Sequence, residues 1–162
     1  NHFKNDKVIS GDDVFLLHSV KAKYPNSIAF VKDNNAIVTT QSEQEFSGFI
    51  NQRQRWVAKS SEYKDMASIY SSYLVFLANL SFVFLFAILF FDIVFIQFFL
   101  LFYTIKFIAD FFLLYPTLKF LSRKDLIKWI LPFEFFYSFY ILLIVILSFT
   151  KKFDWKGRIH KK

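Results

Sequence analysis

Apolar residues in this chain change their rhythm near residue 66. Before it, short apolar runs alternate with polar ones; after it, the sequence from Met66 to Phe91 runs 26 residues without a charge. That length exceeds the roughly 20 residues a helix needs to cross a hydrocarbon core about 30 Å thick. A second apolar stretch, about 93–115, and a third, about 130–149, follow. Between them residues 117–129 mix Lys119, Arg123, Lys124 and Lys128 with Leu118, Phe120, Leu121, Leu126 and Ile127. This pattern predicts a short helix lying at an interface.

The first part reads differently. Residues 7–10 predict a strand running into a turn at Gly11. Val14, Leu16, Leu17, Val20 and Tyr24 then recur at near-helical spacing until Pro25, with Ser10 or Asp12 placed to cap the helix. Ser27–Val31 and Ala36–Thr40 are β-rich runs joined by the turn-forming Lys32-Asp33-Asn34-Asn35, which predicts a hairpin or adjacent strands. Ser42 followed by Glu45 matches a capping box, opening a helix that carries Phe46, Phe49, Ile50 and Val57 on one side. Residues 1–60 thus predict an α/β segment, 61–71 a linker at the membrane surface, 72–149 the membrane region with its first helix at about 70–91, and 150–162 a basic tail.

Composition sharpens the division. Of 25 phenylalanines, 20 lie after residue 71, more than a water-soluble core of this size could hide. The net charge of +7 also falls mainly there: residues 1–71 carry 9 basic and 8 acidic side chains, residues 72–162 carry 11 and 5. Basic residues flanking apolar spans face anionic head groups more naturally than nucleic acid, and the first part shows no basic helix or aromatic-studded sheet, so no nucleic-acid partner is expected. Cysteine is absent, which excludes disulfides, thiolate nucleophiles and cysteine-based zinc sites. Three full crossings would put the six basic residues of the tail on the far side from the first part, against the positive-inside tendency, unless one stretch is re-entrant.

Two short motifs could carry chemistry. Asp12 and Asp13 stand behind Gly11, where one carboxylate could take a proton from a hydroxyl while its neighbour holds a polar contact; they equally suit a capped helix start. Gly-Asp-Asp also occurs between strands in RNA-dependent polymerases, but here a helical pattern follows it. Gln52-Arg53-Gln54-Arg55-Trp56 could bind a diphosphate through Arg55 and a sugar ring through Trp56, with Lys59 adding charge. The same five residues would also serve as a membrane-proximal helix whose arginines snorkel and whose tryptophan anchors at the head groups. On that helix Gln52, Arg55 and Lys59 recur at i, i+3 and i+7, whereas Arg53 and Gln54 project elsewhere. His18 has no metal-binding partner at suitable spacing. Lys106 and Asp110 predict an i,i+4 ion pair within the second apolar stretch, and Glu134 an interfacial position.

Taken in order, Ser10-Gly-Asp-Asp13, then Gln52-x-x-Arg55-Trp56, then membrane helices and the Trp155-Lys-Gly-Arg158 tail, the chain resembles the C-terminal half of membrane-bound family 2 glycosyltransferases. That inverting class includes cellulose, chitin and hyaluronan synthases and ceramide-glucosyltransferase-like enzymes. The resemblance implies the C-terminal part of a GT-A α/β domain followed by an α-helical transmembrane region. It implies Asp13 as the general base, with Asp12, Gln52, Arg55, Trp56 and Lys59 at the donor diphosphate and acceptor. The reaction it implies moves a sugar from a nucleotide-sugar donor to a lipid-linked or polysaccharide acceptor, at the cytosolic face of a bacterial inner membrane and among its lipids. It also implies Mg²⁺ or Mn²⁺, whose Asp-x-Asp ligands this sequence lacks, so the chain is expected to be a fragment that is inactive alone. The alternative is a non-enzymatic membrane helix bundle or transporter subunit with a small soluble part.

Overall fold

The computed structural model describes residues 12–60, 62–150, 153–155 and 158–160. The expected strand at 7–10 and the Ser10-Gly11 turn lie outside them. Helix α1 spans Asp12–Lys23, α2 Phe46–Ser60, α3 Met66–Ile88, α4 Ile96–Phe120 and α5 Ile130–Thr150. Short 3-10 turns at Asn34–Ala36, Ile93–Phe95 and Lys124–Trp129 connect them, and a two-stranded ribbon, β1 Phe153–Trp155 with β2 Arg158–His160, closes the tail. The strands run antiparallel with Phe153 opposite His160.

The α/β expectation is overturned. Residues 27–31 and 36–40 form no strands, and the only sheet among the described residues is the tail ribbon, so the fold is helical and not an α/β GT-A domain. The turn between the two runs does form, as a 3-10 turn whose amide at Asn35 donates to Asp33 Oδ1 at 2.8 Å. A lone pair of strands with nothing to pack against is marginal in water, and here Phe30 is 81% exposed and Val38 84%. Their β-favouring side chains have no covering layer.

The chain forms two compact units. The first holds residues 1–32, 41–72 and 144–162, the second 33–40 and 73–143. In the first unit, α1 docks through a face the apolar pattern did not mark. Phe15 and His18 meet the Tyr63 ring edge-on, at 5.9 and 5.1 Å between centroids, whereas Leu16 and Leu17 are about half exposed. Asp65 caps α3, accepting from Ser68 N and Ser68 Oγ, each at 3.1 Å, and takes an ion pair from Lys21 at 2.6 Å. Helix α1 is thereby tied to the start of α3. Helix α2 begins at Phe46, later than Ser42 would open it, and packs against β1. The buried Gln54 donates to the carbonyl of Leu147 near the end of α5, at 3.0 Å, satisfying a group that a helix end leaves without an internal partner.

Helices α3, α4 and α5 account for three stretches long and apolar enough to cross a membrane, and this is a membrane protein. At 23 residues, α3 is ~35 Å long. Residues 117–120, expected to open an interfacial helix, instead end α4, which runs through Pro116; the chain then turns at Ser122 with φ 58. In the second unit, Phe82 is fully buried among the rings of Phe99, Tyr103, Phe135 and Phe139, at 5.2 to 6.4 Å. Lipid tails are as apolar as this cluster, so the fit of the rings, not escape from water, holds the helices together. Ser138 Oγ donates to Asn79 Oδ1 at 2.8 Å and Asn79 Nδ2 to Val75 O at 2.7 Å, so these buried polar groups find partners. Lys106 meets Asp110 at 2.8 Å, as the sequence suggested, and also bonds Glu134, which is 5% exposed.

Candidate functional site

The candidate residues lie on two helices of the first unit. Asp12 opens α1, and Asp13 follows in its first turn with an exposed side chain. A carboxylate in the first turn of a helix suits the positive end of its dipole. The structure brings Asp13 close to Tyr63: burial first, then the negative charge of Asp13, push the Tyr63 phenol above its ordinary value. Raising it keeps the hydroxyl protonated, next to a carboxylate that the sequence pattern did not associate with it. The signal that could have found it is indirect, a tyrosine two residues before the helix-capping Asp65.

Helix α2 carries the second group. Gln52, Arg55 and Lys59 share its length at one-turn spacings, and Lys59 sits in the last turn, where an ammonium suits the helix C-terminus. The Gln52 amide points at Glu43 Oε1 across a long 3.5 Å contact. Glu43 also lies over Gly48, where an added Cβ would come within 3.0 Å of its Oε2, so glycine leaves room for that carboxylate on the helix surface. An anionic group therefore already sits against the amide proposed for donor contact. Gln52 has the donor chemistry an anion needs, and Glu43 must move aside for a phosphate to use it.

Arg53 has a larger part than the helical spacing implied. Its guanidinium lies 4.9 Å from the Phe49 ring centre and 4.2 Å from that of Trp56, stacking between residues one turn away on either side. Such stacking contributes about 0.5–1 kcal/mol at an exposed site and holds the indole at a fixed angle. Trp56 stays 46% exposed, so indole surface remains open beyond the arginine. Gln54 is the motif's buried member, anchoring α2 through Leu147 as described above. Two residues that look like passengers by spacing thus position the others.

His18 serves the fold: its Nε2 is 3.2 Å from Ser68 Oγ. Among the described residues no cluster of three or more His, Cys, Asp or Glu could hold a metal ion. The Mg²⁺ or Mn²⁺ implied by the resemblance finds no fitting donor set here, and no chemical step is routed through it. Comparison with protein-family models, curated proteins and solved structures finds no match for this chain.

Proposed function

We propose that the chain is part of a membrane enzyme that transfers a sugar, with inversion, from a nucleotide-sugar donor to a lipid-linked or polysaccharide acceptor. The observation that carries this reading is the order of its motifs. Gly11-Asp12-Asp13 precedes Gln52-x-x-Arg55-Trp56 by about forty residues, and a helix long enough to cross a membrane starts at Met66, a few residues after α2 ends. Inverting transfer needs one base opposite the leaving group, cations for the departing diphosphate and a surface for the acceptor ring. Asp13, exposed in the first turn of α1, supplies the base. Arg55 supplies a permanent charge with planar donors, assisted by Lys59, while Gln52 contributes an amide and Asp12 a second polar group beside the base. Trp56 supplies the stacking surface, held by Arg53. The nucleotide and its metal would be held by residues this chain does not contain, and the transfer side would face the cytosol, the side that collects basic residues.

The test is Asp13→Asn in an enzyme containing this chain together with its donor-binding part. Transfer should be abolished while nucleotide-sugar binding is retained; near-normal turnover would sink the assignment. One observation favours a second reading, a non-catalytic membrane bundle: Arg53 already gives Trp56 a structural partner. That reading expects Arg55→Ala and Trp56→Ala to leave function intact.

A further inference from the structure

The second unit contains a cleft of about 570 Å³ between α3, α4 and α5. Its walls are mostly apolar, with Leu74, Ala78, Ile105 and Leu113 among them, yet Lys106, Asp110 and Glu134 stand together on one side. Leu74, Ile105 and Leu113 are each at least 60% exposed, so the cleft opens onto the outer surface of the helices, the surface that lipid would cover. Glu134 is the fifth residue of α5, ~6 Å along the helix from its start. Lys128 and Trp129 immediately precede that start, the residue types that mark a membrane–water interface. The charged group therefore sits about one helical turn beneath an interface, the depth at which a lipid head joins its chain.

The charges do not balance. Two carboxylates face one ammonium: Lys106 donates to Asp110 Oδ2 and Glu134 Oε1, and its side chain is 7% exposed. The group carries −1 until a proton or a second cation joins it, and an uncompensated charge is costly at this depth. Asp110, with its side chain 35% exposed, is the carboxylate that an incoming group can reach. An anionic head would add to the imbalance; an ammonium would cancel it and bring the hydrogen-bond donors that carboxylates accept.

We infer that this cleft binds an amphiphile with a protonated amine as its head, the ammonium seated against the exposed side of Asp110 and the hydrocarbon chain lying in the cleft. This goes beyond the transfer reaction and rests on the second unit alone.

Sphinganine, its N-acyl derivative and its 1-phosphate share one hydrocarbon chain and differ in head charge, so they separate charge from chain. With the purified full chain in phosphatidylcholine nanodiscs, sphinganine should raise the thermal midpoint in a saturable way. The neutral N-acyl compound and the phosphate should do so at least tenfold less potently. Asp110→Asn keeps the Lys106–Glu134 pair while removing the net charge, and should abolish the preference for the amine. Ala78→Phe fills the cleft and should abolish stabilisation by sphinganine without altering the charges. Equal stabilisation by all three compounds, a preference for the phosphate, no effect of sphinganine, or an amine preference that survives Asp110→Asn would each overturn the proposal.

Discussion

Replacing Lys106 with methionine keeps the length and most of the volume of the side chain and removes its charge. Glu134, with a side chain 4% exposed, and Asp110 then lose the ammonium that bonds them both. Removing one member of a buried pair costs about 3–5 kcal/mol, because the stranded charge keeps its desolvation penalty without its compensation. Protonation sets an independent ceiling. Neutralising one ordinary carboxylate with a pKa of about 4.3 at pH 7 takes ~2.7 units at 1.36 kcal/mol each, or ~3.7 kcal/mol. The two routes agree, so Lys106→Met should destabilise the helices by about 3–4 kcal/mol at pH 7. The assay is equilibrium unfolding in mixed micelles followed by circular dichroism. Adding Glu134→Gln to Lys106→Met should recover more than half of the loss, since the second substitution removes the stranded charge; the coupling is read from the double-mutant cycle. A loss below ~1 kcal/mol for the single variant, or no recovery in the double, would refute a charge-based origin.

The contact between α1 and α3 should depend on pH. Asp65 is held down to about 2 first by the hydrogen bond from Lys21 and then by the amide of Ser68. A depressed folded value means that its stabilisation is full above the unfolded value near 3.8 and is lost as pH falls through the interval down to about 2. Tyrosine fluorescence of Tyr63 should report loosening of the α1 contact over that window, and Asp65→Asn should remove the transition. Gln54→Met preserves volume but leaves the Leu147 carbonyl unpaired, so thermal unfolding should show a loss of about 1–3 kcal/mol; an unchanged midpoint would show that α2 is held elsewhere. Because the chain has no cysteine, single cysteines at Ser42 and Lys161 can be labelled with an impermeant maleimide in sealed vesicles. Both should react from the same side, and labelling from opposite sides would refute the arrangement of the two ends.

The membrane helices were legible because their signal is local. An uncharged run of two dozen residues needs no partner to be read as a helix, and α3, α4 and α5 fall on the three apolar stretches. The strands were not legible in the same sense. Ser27–Val31 and Ala36–Thr40 have strand composition, but a strand exists only when another chain segment accepts its hydrogen bonds, and composition cannot supply one. Within the candidate site, spacing placed Gln52, Arg55 and Lys59 on one helix, yet it discounted Arg53 and Gln54. Their contacts, to Phe49 and Trp56 and to Leu147, depend on side-chain reach and on a segment 93 residues away. Tyr63 and Glu43 escaped notice for the same reason. The pairing of Glu134 was missed because its partner, Lys106, lies 28 residues earlier, and a pairing at that separation leaves no periodic trace.

The path of the chain bears on the tail's excess of basic residues. Residues 66–72 and 144–150 belong to the same compact unit, in which α2 also packs against β1 of the tail. Contacts in the second unit fix the relative directions of its helices. Phe82 and Phe86 meet Phe99, and Phe82 meets Tyr103, which sets α4 antiparallel to α3. Tyr103 bonds the Leu131 carbonyl and Lys106 bonds Glu134, so α4 and α5 advance in the same direction. Two helices that point the same way cannot both cross fully unless the link between them crosses back. That link, residues 121–129, carries Arg123, Lys124, Asp125 and Lys128, each costing ~2.5–3.5 kcal/mol at the bilayer centre. Such charges favour an interfacial place for the link, and α4 lines the cleft of the second unit together with α3 and α5.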